Sequence, residues 1–588
     1  MCGIAGLINI SDLDSSHYVK KMISEIRYRG IDEQGVKDFG DVVMGHARLA
    51  VVDPENGHQP MSNTDETVWV TFNGEIYNYV EIREELKSKG YQFKSRCDTE
   101  VLVHLWREEG EDMLDRLIGM FSFCIWDSKQ KKGMLVRDRQ GIKPLYIAAY
   151  KKGIAFASEI KAILSLPDFD AVIDDSEFIH LFSFGSNPLP NTFLKGIRHL
   201  DPGTKLIFGA NGSKIKEEKY WQWPLAGERE TPTFDELTHL LKDAIRMQMR
   251  FDVKGALLLS GGVDSSIVAE HLLPQWNEGS LTAYALDVQG EQFGEYKYSK
   301  FVADRLGIHL NLVNIHHTMI PDMSAKIVFH SEQPHGDFSF FLIYKLCEAA
   351  HNDGKIVVFT GDGPDEPLLG FSKATQFMNS VGRTNFSMQQ YFNFFRYTND
   401  EISSRLLNPD FNNFGKDYSL NKYKEFTGED LGLEPCEQIA AFDMTCLMPS
   451  NNFVKADRMA AGLSIEGRSP FLDHRVSEML CRLPSHEKYQ NGIGKKYLKQ
   501  YALKYFPEEF IFRPKTMPIA PVGEWIKGPL YGWAYETLDQ VDPTYFNREA
   551  ILDALKDHQE GKQNYYNPLR TILMAQLWKQ NFLSKYNR

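Results

Sequence analysis

The sequence has few cysteines and arranges none of them as a CxxC pair. Seven cysteines are scattered over 588 residues, so the sequence predicts neither a disulfide framework nor a zinc site. It has no apolar run long enough to cross a bilayer, and no basic segment followed by an apolar stretch at its start. We therefore expect a cytoplasmic protein without membrane association. The net charge of -13 disfavours nucleic acid as a partner.

The chain is longer than one hydrophobic core normally supports, so we expect a multidomain protein. Short β-rich runs such as "VVMGHARLAVVD" and "MFSFCIWD" in the first third predict packed sheets. Further along, "GALLLSGGVDSSIVAEHLL" begins an alternation of strands and helices, typical of a parallel α/β sheet. We predict a first domain over 2–210, a linker over 211–232 and a second domain over 233–588. The pattern assigns no element to 371–437.

The string "LLLSGGVDSS" predicts a phosphate-binding turn between a buried strand and a helix. Gly261 and Gly262 let backbone N–H groups approach an anion at a helix N-terminus, and Ser260, Ser265 and Ser266 add hydroxyl donors. The GxxxxGK[ST] pattern of a Walker A loop is absent. Asp264 beside phosphates requires a cation, most simply Mg²⁺. The alternative interpretation is an ordinary strand-to-helix turn.

A second acidic turn follows the strand "KIVVF". The string "TGDGPDE" offers Asp362, Asp365 and Glu366. The carboxyl ends of parallel strands meet where such sheets bind ligands, so we expect this turn to lie beside the first one. The alternative is an acidic surface turn.

Motifs along nearly the whole chain occur in an order that resembles the glutamine-hydrolysing asparagine synthetases. They include "MCGIAG", "RYRGIDEQG", "GHARLAVVD", "GHQPM", "FNGEIYNY", "CDTEVLVHLW", "GMFSFCIWD", "RDRQGIKPLY", "ASEIKAIL", "SGGVDSS", "TGDGPDE", "KADRMAAGLSIEGRSPFLD" and "RPK". The resemblance implies a class II glutamine amidotransferase domain fused to an ATP-pyrophosphatase domain. It further implies an Ntn-type αββα sandwich of antiparallel sheets, followed by an α/β domain with a parallel sheet.

In the amidotransferase half, Cys2 is the predicted nucleophile. If Met1 is removed, Cys2 carries a free α-amino group, whose reference pKa of about 7.7 to 8.0 suits a general base. By resemblance, the side chain of Asn73 and the N–H of Gly74 stabilise the oxyanion. Arg48 holds the α-carboxylate of glutamine, and Asp98 with Glu75 holds its α-ammonium. The full predicted glutamine-binding set is Arg48, Leu49, Val52, Asn73, Gly74, Glu75 and Asp98.

In the synthetase half, the resemblance implies that ATP activates a carboxylate as an acyl-adenylate and that ammonia then displaces AMP. Mg²⁺ is expected at Asp264 and Asp365, and Asp362 is assigned to adenylation. Lys495 is the predicted lysine for the adenylation transition state, with Lys496 as the register alternative. The predicted ATP-binding set is Leu259, Ser260, Gly261, Gly262, Asp264, Ser265, Ser266, Leu286, Thr360 and Gly361.

Several positions depart from the usual family pattern. Tyr28 and Ile31 replace His and Pro, Lys254 replaces a proline, "PDEPLLGF" replaces a run ending in Gly-Gly-Tyr, and Met517 with Pro518 stands for Gly-Phe. His335 and Asp337 are either contacts of the second substrate or capping groups.

These departures cluster in the synthetase half. The two sets of matching motifs predict asparagine formation from aspartate, and the departures motivate the alternative, amidation of another carboxylate such as a sugar uronate or a natural-product acid. A non-catalytic relative that binds glutamine or nucleotide is a third reading. A homodimer is one assembly that the resemblance allows.

Overall fold

The computed structural model describes residues 1–10, 14–210, 216–288, 296–382, 385–415, 417–513 and 520–587. Within these residues, no helix is both long enough and apolar enough to cross a membrane.

Two six-stranded antiparallel sheets form the first part of the chain. The first sheet has the order β10-β8-β9-β1-β3-β2, with β1 Gly3–Ile8, β2 Glu33–Asp38, β3 Val42–Arg48, β8 Tyr146–Tyr150, β9 Gly153–Ala157 and β10 Ile197–His199. The second has the order β12-β11-β7-β6-β5-β4, with β4 Met61–Ser62, β5 Val68–Ile76, β6 Gly119–Asp127, β7 Lys132–Arg137, β11 Thr204–Gly209 and β12 Lys216–Lys219.

The two sheets face each other between layers of helices. Apolar side chains from both sheets, among them Ile4, Met44 and Trp126, form the core between them. The helices of this half are α1 Ser15–Glu25, α2 Tyr79–Ser88, α3 Glu100–Glu109, α4 Ile160–Leu164, α5 Asp175–Phe178 and α6 Leu181–Phe184. Helix α1 packs on β1 and β3, and α3 packs on β5. This confirms the predicted αββα sandwich.

The second half contains a five-stranded parallel sheet of order β15-β14-β13-β16-β17. Its strands are β13 Gly255–Leu258, β14 Thr282–Val288, β15 His309–Ile315, β16 Val357–Phe359 and β17 Glu466–Arg468. Apolar helix faces cover both sides of the sheet. Helices α7 Phe234–Gln248 and α8 Val263–Leu272 pack on one side, and α11 Ser339–Asn352 and α18 Phe453–Ala461 pack on the other. The predicted α/β domain with a parallel sheet is confirmed.

Helices make up most of the remaining chain. They are α7 Phe234–Gln248, α8 Val263–Leu272, α9 Tyr296–Leu306, α10 Met319–Ser331, α11 Ser339–Asn352, α12 Ser372–Val381, α13 Met388–Phe395, α14 Asp400–Leu406, α15 Pro409–Phe414, α16 Tyr418–Lys424, α17 Pro435–Phe442, α18 Phe453–Ala461, α19 His474–Cys481 and α20 Ser485–Lys488. The hairpin β18 Tyr489–Gln490 and β19 Ile493–Gly494 precedes α21 Lys496–Ala502, α22 Glu508–Ile511, α23 Val522–Lys527, α24 Tyr531–Leu538, α25 Arg548–Gln559, α26 Tyr566–Trp578 and α27 Ser584–Tyr586.

In the described part of 371–437, a segment to which the sequence pattern assigned no element, lie the short helices α12 to α16 and the start of α17. Phe377, Tyr391, Phe392, Phe395 and Tyr423 from this segment pack in one buried cluster. These five aromatic residues therefore build core, whereas Phe394 and Tyr418 of the same segment are exposed.

Strand β12 lies inside the predicted linker 211–232. Residues 216–219 pair with β11 as the edge of the second sheet, and α7 begins one residue after its capping residue Thr233. We propose that the boundary between the halves lies between Lys219 and Thr233.

Candidate active site

Cys2 lies directly before β1, in the middle of the first sheet. Its Sγ accepts a hydrogen bond from the Leu49 N–H at 3.4 Å, and its carbonyl accepts one from Arg29 Nε at 2.9 Å. Burial raises the pKa of the Cys2 thiol to about 11, and burial lowers the pKa of the Met1 α-amino group to about 6. A thiol in this environment needs a neighbouring base to become a nucleophile.

Asn73 and Gly74 lie next to each other on β5, which contacts β1 and β3 across the sandwich. Asn73 is completely buried, and neither polar atom of its side chain has a hydrogen-bond partner among the described residues. A side chain at Gly74 would lie 2.0 Å from the Met120 carbonyl oxygen. A buried amide with no acceptor fits a donor waiting for an oxyanion.

Arg48 ends β3 and is held by the loop that follows. Its Nη1 donates to Pro54 O and its Nη2 to Asp53 O, each at 2.7 Å. Gly57 lets the chain pass close by, because a Cβ there would lie 2.3 Å from Arg48 Nη2. Leu49 and Val52 are buried beside Cys2 in the same apolar cluster. The structure thus brings Cys2 and the Arg48 loop together.

Glu75 and Asp98, the predicted pair for the glutamine ammonium, are both buried. Asp98 Oδ2 accepts a hydrogen bond from the Ile76 N–H at 2.9 Å. Glu75 Oε1 lies 3.1 Å from Arg468 Nη2. Burial raises the pKa of both carboxyls, and Glu466 raises that of Glu75 further. The motif-based prediction missed Arg468. The signal that could have found it is the pair of charged residues, Glu466 and Arg468, in the short string "SIEGRSPFL".

The phosphate-binding turn has the predicted strand–turn–helix form, and α8 begins at Val263. Gly261 adopts φ 73° and packs against α9, where a Cβ would lie 2.5 Å from Ser299 N. Ser260 Oγ and Ser265 Oγ are 3.0 Å apart, and Ser266 Oγ donates to Gly262 O at 2.7 Å. The serines therefore surround the first turn of α8.

The second acidic turn packs directly on the first. A Cβ at Gly361 would lie 2.5 Å from Ser265 N, so glycine permits this contact. The Thr360 N–H donates to Arg468 O at 2.8 Å, and Thr360 Oγ1 donates to Asp362 Oδ2 at 2.8 Å. The expected convergence of the two turns is present.

Lys495 joins the carboxylates of both turns. Its Nζ lies 2.5 Å from Asp264 Oδ2 and 2.6 Å from Asp365 Oδ1. Although burial opposes the charge, these carboxylates raise the pKa of Lys495. The register alternative, Lys496, pairs instead with Glu487 at 3.0 Å.

The donor set fits magnesium bound through substrate phosphates. Asp264 and Asp365 are hard oxygen donors, and both lie beside the Lys495 ammonium. In proteins, Mg²⁺ commonly takes one or two carboxylates together with phosphates and water. No group of three or more metal-binding side chains is found among the described residues. The set therefore fits a cation that enters with a phosphate ligand.

Leu259 directly follows β13, and Leu286 lies in β14, the strand that pairs with β13 in the parallel sheet. Leu259 N donates to Tyr284 O at 2.9 Å, and Leu286 lies within β14. Both therefore lie toward the carboxyl edge of the sheet, near the phosphate-binding turn.

One cavity of about 690 Å³ borders both halves of the chain. Met1 and Lys143 line it on the amidotransferase side, and Thr360, Asp362 and Asp365 line it on the synthetase side. The cavity therefore reaches from Met1, the neighbour of Cys2, to the acidic turn.

A buried charge network also connects the halves. Arg29 Nη1 lies 2.7 Å from Glu159 Oε1 and 2.9 Å from Asp457 Oδ2, and Arg458 Nη1 lies 2.8 Å from the same Glu159 oxygen. All four side chains are almost fully buried. The motif "RYRG" contains Arg29, but tertiary packing alone brings its partner Asp457 on α18 beside it.

His335 and Asp337 occupy different surroundings. His335 is buried, which lowers its pKa to about 4. Asp337 Oδ1 accepts from the Ser339 N–H at 2.9 Å at the start of α11, and Oδ2 lies 3.2 Å from Lys455 Nζ. Asp337 thus caps a helix and also lines the cavity, and its contact with a second substrate stays a prediction.

The departures from the family pattern have one visible backbone effect. Leu369 adopts φ 50°, a left-handed conformation that favours glycine. Gly370 follows, where a Cβ would lie 1.9 Å from Asp365 Oδ1. Met517 and Pro518 lie outside the described residues.

Comparison with known proteins matches both halves to family models. Residues 1–221 match the glutamine amidotransferase domain, and residues 236–580 match asparagine synthase. Asparagine synthetase (glutamine-hydrolyzing) 1 of Bacillus subtilis is 29% identical, with 98% of this chain and 96% of that protein covered. Asparagine synthetase (glutamine-hydrolyzing) 3 of the same organism is 30% identical, with 96% and 93% covered. A solved structure of glutamine phosphoribosylpyrophosphate amidotransferase from B. subtilis, complexed with ADP and GMP, is 15% identical. The match covers 53% of this chain and 66% of that chain, with a TM-score of 0.29.

Proposed function

The chain belongs to the asparagine synthase family, and we propose that it is a glutamine-dependent asparagine synthetase. It hydrolyses glutamine at Cys2 to glutamate and ammonia. It activates aspartate with ATP as β-aspartyl-AMP, with release of pyrophosphate. Ammonia then displaces AMP to give asparagine.

The observation that carries this proposal is one cavity that borders both Asp365, where Lys495 joins the carboxylates of the two turns, and Met1 beside Cys2. A nucleotide site alone would need no link to the amidotransferase half. In bulk water most ammonia is protonated and no longer nucleophilic. A shared cavity therefore supports transfer of ammonia within the protein.

In the glutaminase step, removal of Met1 places the α-amino group on Cys2. That amine takes the thiol proton, and the thiolate attacks the side-chain carbonyl of glutamine. The Asn73 amide, buried without a partner among the described residues, donates to the oxyanion together with the Gly74 N–H. Ammonia leaves, and water then hydrolyses the thioester on Cys2.

In the synthetase step, the turns around Gly261 and Gly361 hold the phosphates of ATP at the N-terminus of α8. Lys495 donates to the α-phosphate as negative charge develops during adenylation. When bound, Mg²⁺ at Asp264 and Asp365 would neutralise charge on the pyrophosphate leaving group. Asp362 lines the cavity where the acyl-adenylate would form.

Removing the nucleophile tests the separation of the two sites. We expect Cys2→Ala to abolish glutamate release and glutamine-dependent asparagine formation, while ammonium-dependent formation continues. Cys124→Ala, in the core between the two sheets, should retain both reactions. Glutamine use by Cys2→Ala would contradict the assignment, and release of neither glutamate nor pyrophosphate by the unaltered protein would favour a non-catalytic relative.

A different carboxylate acceptor is the second candidate. It is favoured by the left-handed Leu369 in the loop beside Asp365, where this chain departs from the family pattern. Steady-state assays with aspartate, sugar uronates and other acids would distinguish the two. Absence of asparagine at millimolar aspartate, with amide formation from another acid, would select the second candidate.

A further inference from the structure

The string "RPK" begins with Arg513, a residue outside the predicted binding and catalytic sets. Arg513 follows α22 and reaches the phosphate-binding turn, which lies far from it in the sequence. Its Nη2 donates a hydrogen bond to the Gly261 carbonyl at 2.5 Å, and its Nη1 donates to the Phe510 carbonyl. One arginine therefore joins α22 to the turn between β13 and α8.

Two aromatic rings fix the guanidinium of Arg513 in place. Its carbon Cζ lies 3.9 Å from the ring centre of Tyr298 on α9 and 4.3 Å from that of Phe510 on α22. A guanidinium is attracted to aromatic faces, and because it is planar it can stack on rings and donate hydrogen bonds at the same time. The position of Nη2 beside Gly261 is therefore set by both helices.

The Gly261 carbonyl belongs to the same peptide group as the Gly262 N–H. In a planar trans peptide these two groups point in opposite directions, so a carbonyl held by Arg513 directs the N–H away from the arginine. That N–H donates to Ser260 Oγ at 3.2 Å, and Ser260 Oγ lies 3.0 Å from Ser265 Oγ. The Gly262 N–H thus lies on the side of the turn where the serine hydroxyls gather.

The orientation of this peptide group matters for binding an anion. Gly262 is the N-cap of α8, and N–H groups at a helix N-terminus attract phosphate. Gly261 is in the left-handed region at φ 73°, and a glycine has few steric limits of its own. Holding its carbonyl removes conformational freedom that a phosphate ligand would otherwise have to restrict on binding.

We propose that Arg513 is a positioning residue of the nucleotide site. It holds the Gly261 carbonyl so that the Gly262 N–H faces the phosphates of ATP before they bind, and it acts through this peptide group. The inference rests on the proposed function and deepens it, because it names a residue that sets the affinity of the turn for the pyrophosphate group of ATP.

Equilibrium binding of inorganic pyrophosphate tests this without turnover. Isothermal titration of the full-length protein in the presence of Mg²⁺ should show binding that Arg513→Gln weakens by about tenfold or more, since the variant removes a charged hydrogen-bond donor. The KM for ATP in AMP formation should rise more than kcat falls, because the turn holds the phosphates in both the ground state and the transition state. Glutamate release at Cys2 should stay unchanged, which shows that the variant is folded.

Three further variants separate position from charge and from folding. Arg513→Lys keeps the charge but not the planar stacking, so it should recover little of the affinity. Tyr298→Leu removes one ring from a half-buried position and should weaken pyrophosphate binding by about threefold or more. Arg305→Gln is the control, because Arg305 is an exposed cation on α9 whose Cζ lies 5.8 Å from the Phe506 ring centre. It should bind pyrophosphate like the unaltered protein.

The outcomes separate this inference from the proposed function. Unchanged pyrophosphate binding in a folded Arg513→Gln, or in Tyr298→Leu if Arg513→Gln does not fold, would overturn the inference and leave the proposed function in place. Full recovery of affinity in Arg513→Lys, or no pyrophosphate binding by the unaltered protein, would also overturn it. Pyrophosphate binding that depends on Arg513, without AMP formation with any acceptor, would support the inference and contradict the proposed function.

Discussion

Arg468 of the synthetase half lies 3.1 Å from Glu75 of the amidotransferase half, through its Nη2 and the Glu75 Oε1. The same nitrogen lies 2.8 Å from Glu466 Oε1, and the backbone carbonyl of Arg468 accepts from Thr360 N. One buried arginine thus contacts a predicted glutamine-binding residue and the strand that leads into the nucleotide site.

Replacing Arg468 by Gln should impair glutamine binding from the other half of the chain. Glu75 and Glu466 would lose their shared cation while remaining buried, which costs about 3–5 kcal/mol of stability. We expect a higher glutamine KM, measured below the unfolding temperature, and a lower free energy of unfolding.

Arg475→Gln is the control, because Arg475 is partly exposed and its pairs with Asp243 and Asp473 lie within one half. It should leave glutamine KM unchanged. A normal glutamine KM in Arg468→Gln would show that the pair with Glu75 has no part in substrate binding.

Asn73→Ala should reduce glutaminase kcat by about 10²–10³-fold with little change in KM, since the oxyanion exists only during the reaction. Glutamate release measures this effect. Asn413→Ala, exposed on α15, serves as the control. A large rise in KM at unchanged kcat would assign Asn73 to ground-state binding instead.

Lys495→Met should suppress AMP formation by at least about 10²-fold, because the lysine lies between the carboxylates of both turns. Glutamate release should continue, since the reaction at Cys2 does not use this residue. Lys496→Met, which removes only the pair with Glu487, should keep both reactions. Loss of AMP formation in Lys496→Met with retention in Lys495→Met would reverse the assignment.

Asp443→Asn should change how stability depends on pH. Burial, together with Glu366 and Asp365, raises the pKa of Asp443 well above its usual value. The folded state therefore keeps a proton that the unfolded state releases above about pH 4, and stability falls as pH rises toward the folded pKa. Asparagine removes this penalty.

Denaturant unfolding at pH 5 and pH 8, without metal, measures the effect. Relative to the unaltered protein, Asp443→Asn should be more stabilising at pH 8 than at pH 5, because the protonated carboxyl costs roughly 1.4 kcal/mol for each pH unit between the unfolded and the folded pKa. Asp410→Asn on the exposed side of α15 is the control. A stability difference that is equal at both pH values would refute a protonated Asp443.

Much of the sequence-based prediction rested on strand patterns and on the residue types of the turns that follow them. The glycines of "SGGVDSS" and "TGDG" need close backbone contacts, and the structure has them at Gly261 and Gly361. Local sequence patterns could not predict the residues whose contacts depend on tertiary packing. Arg468 meets Glu75 from a distant segment, and β12 extends the second sheet by pairing with β11.

The most direct test of the account follows the amide nitrogen. The full-length protein is incubated with saturating amide-¹⁵N glutamine, ATP, Mg²⁺ and aspartate, with unlabelled ammonium kept below the concentration that supports ammonium-dependent synthesis. We predict asparagine labelled in its amide, with AMP and pyrophosphate formed in equal amounts. Asparagine without the label, or ADP in place of AMP, would contradict a glutaminase and an adenylating site that share one cavity.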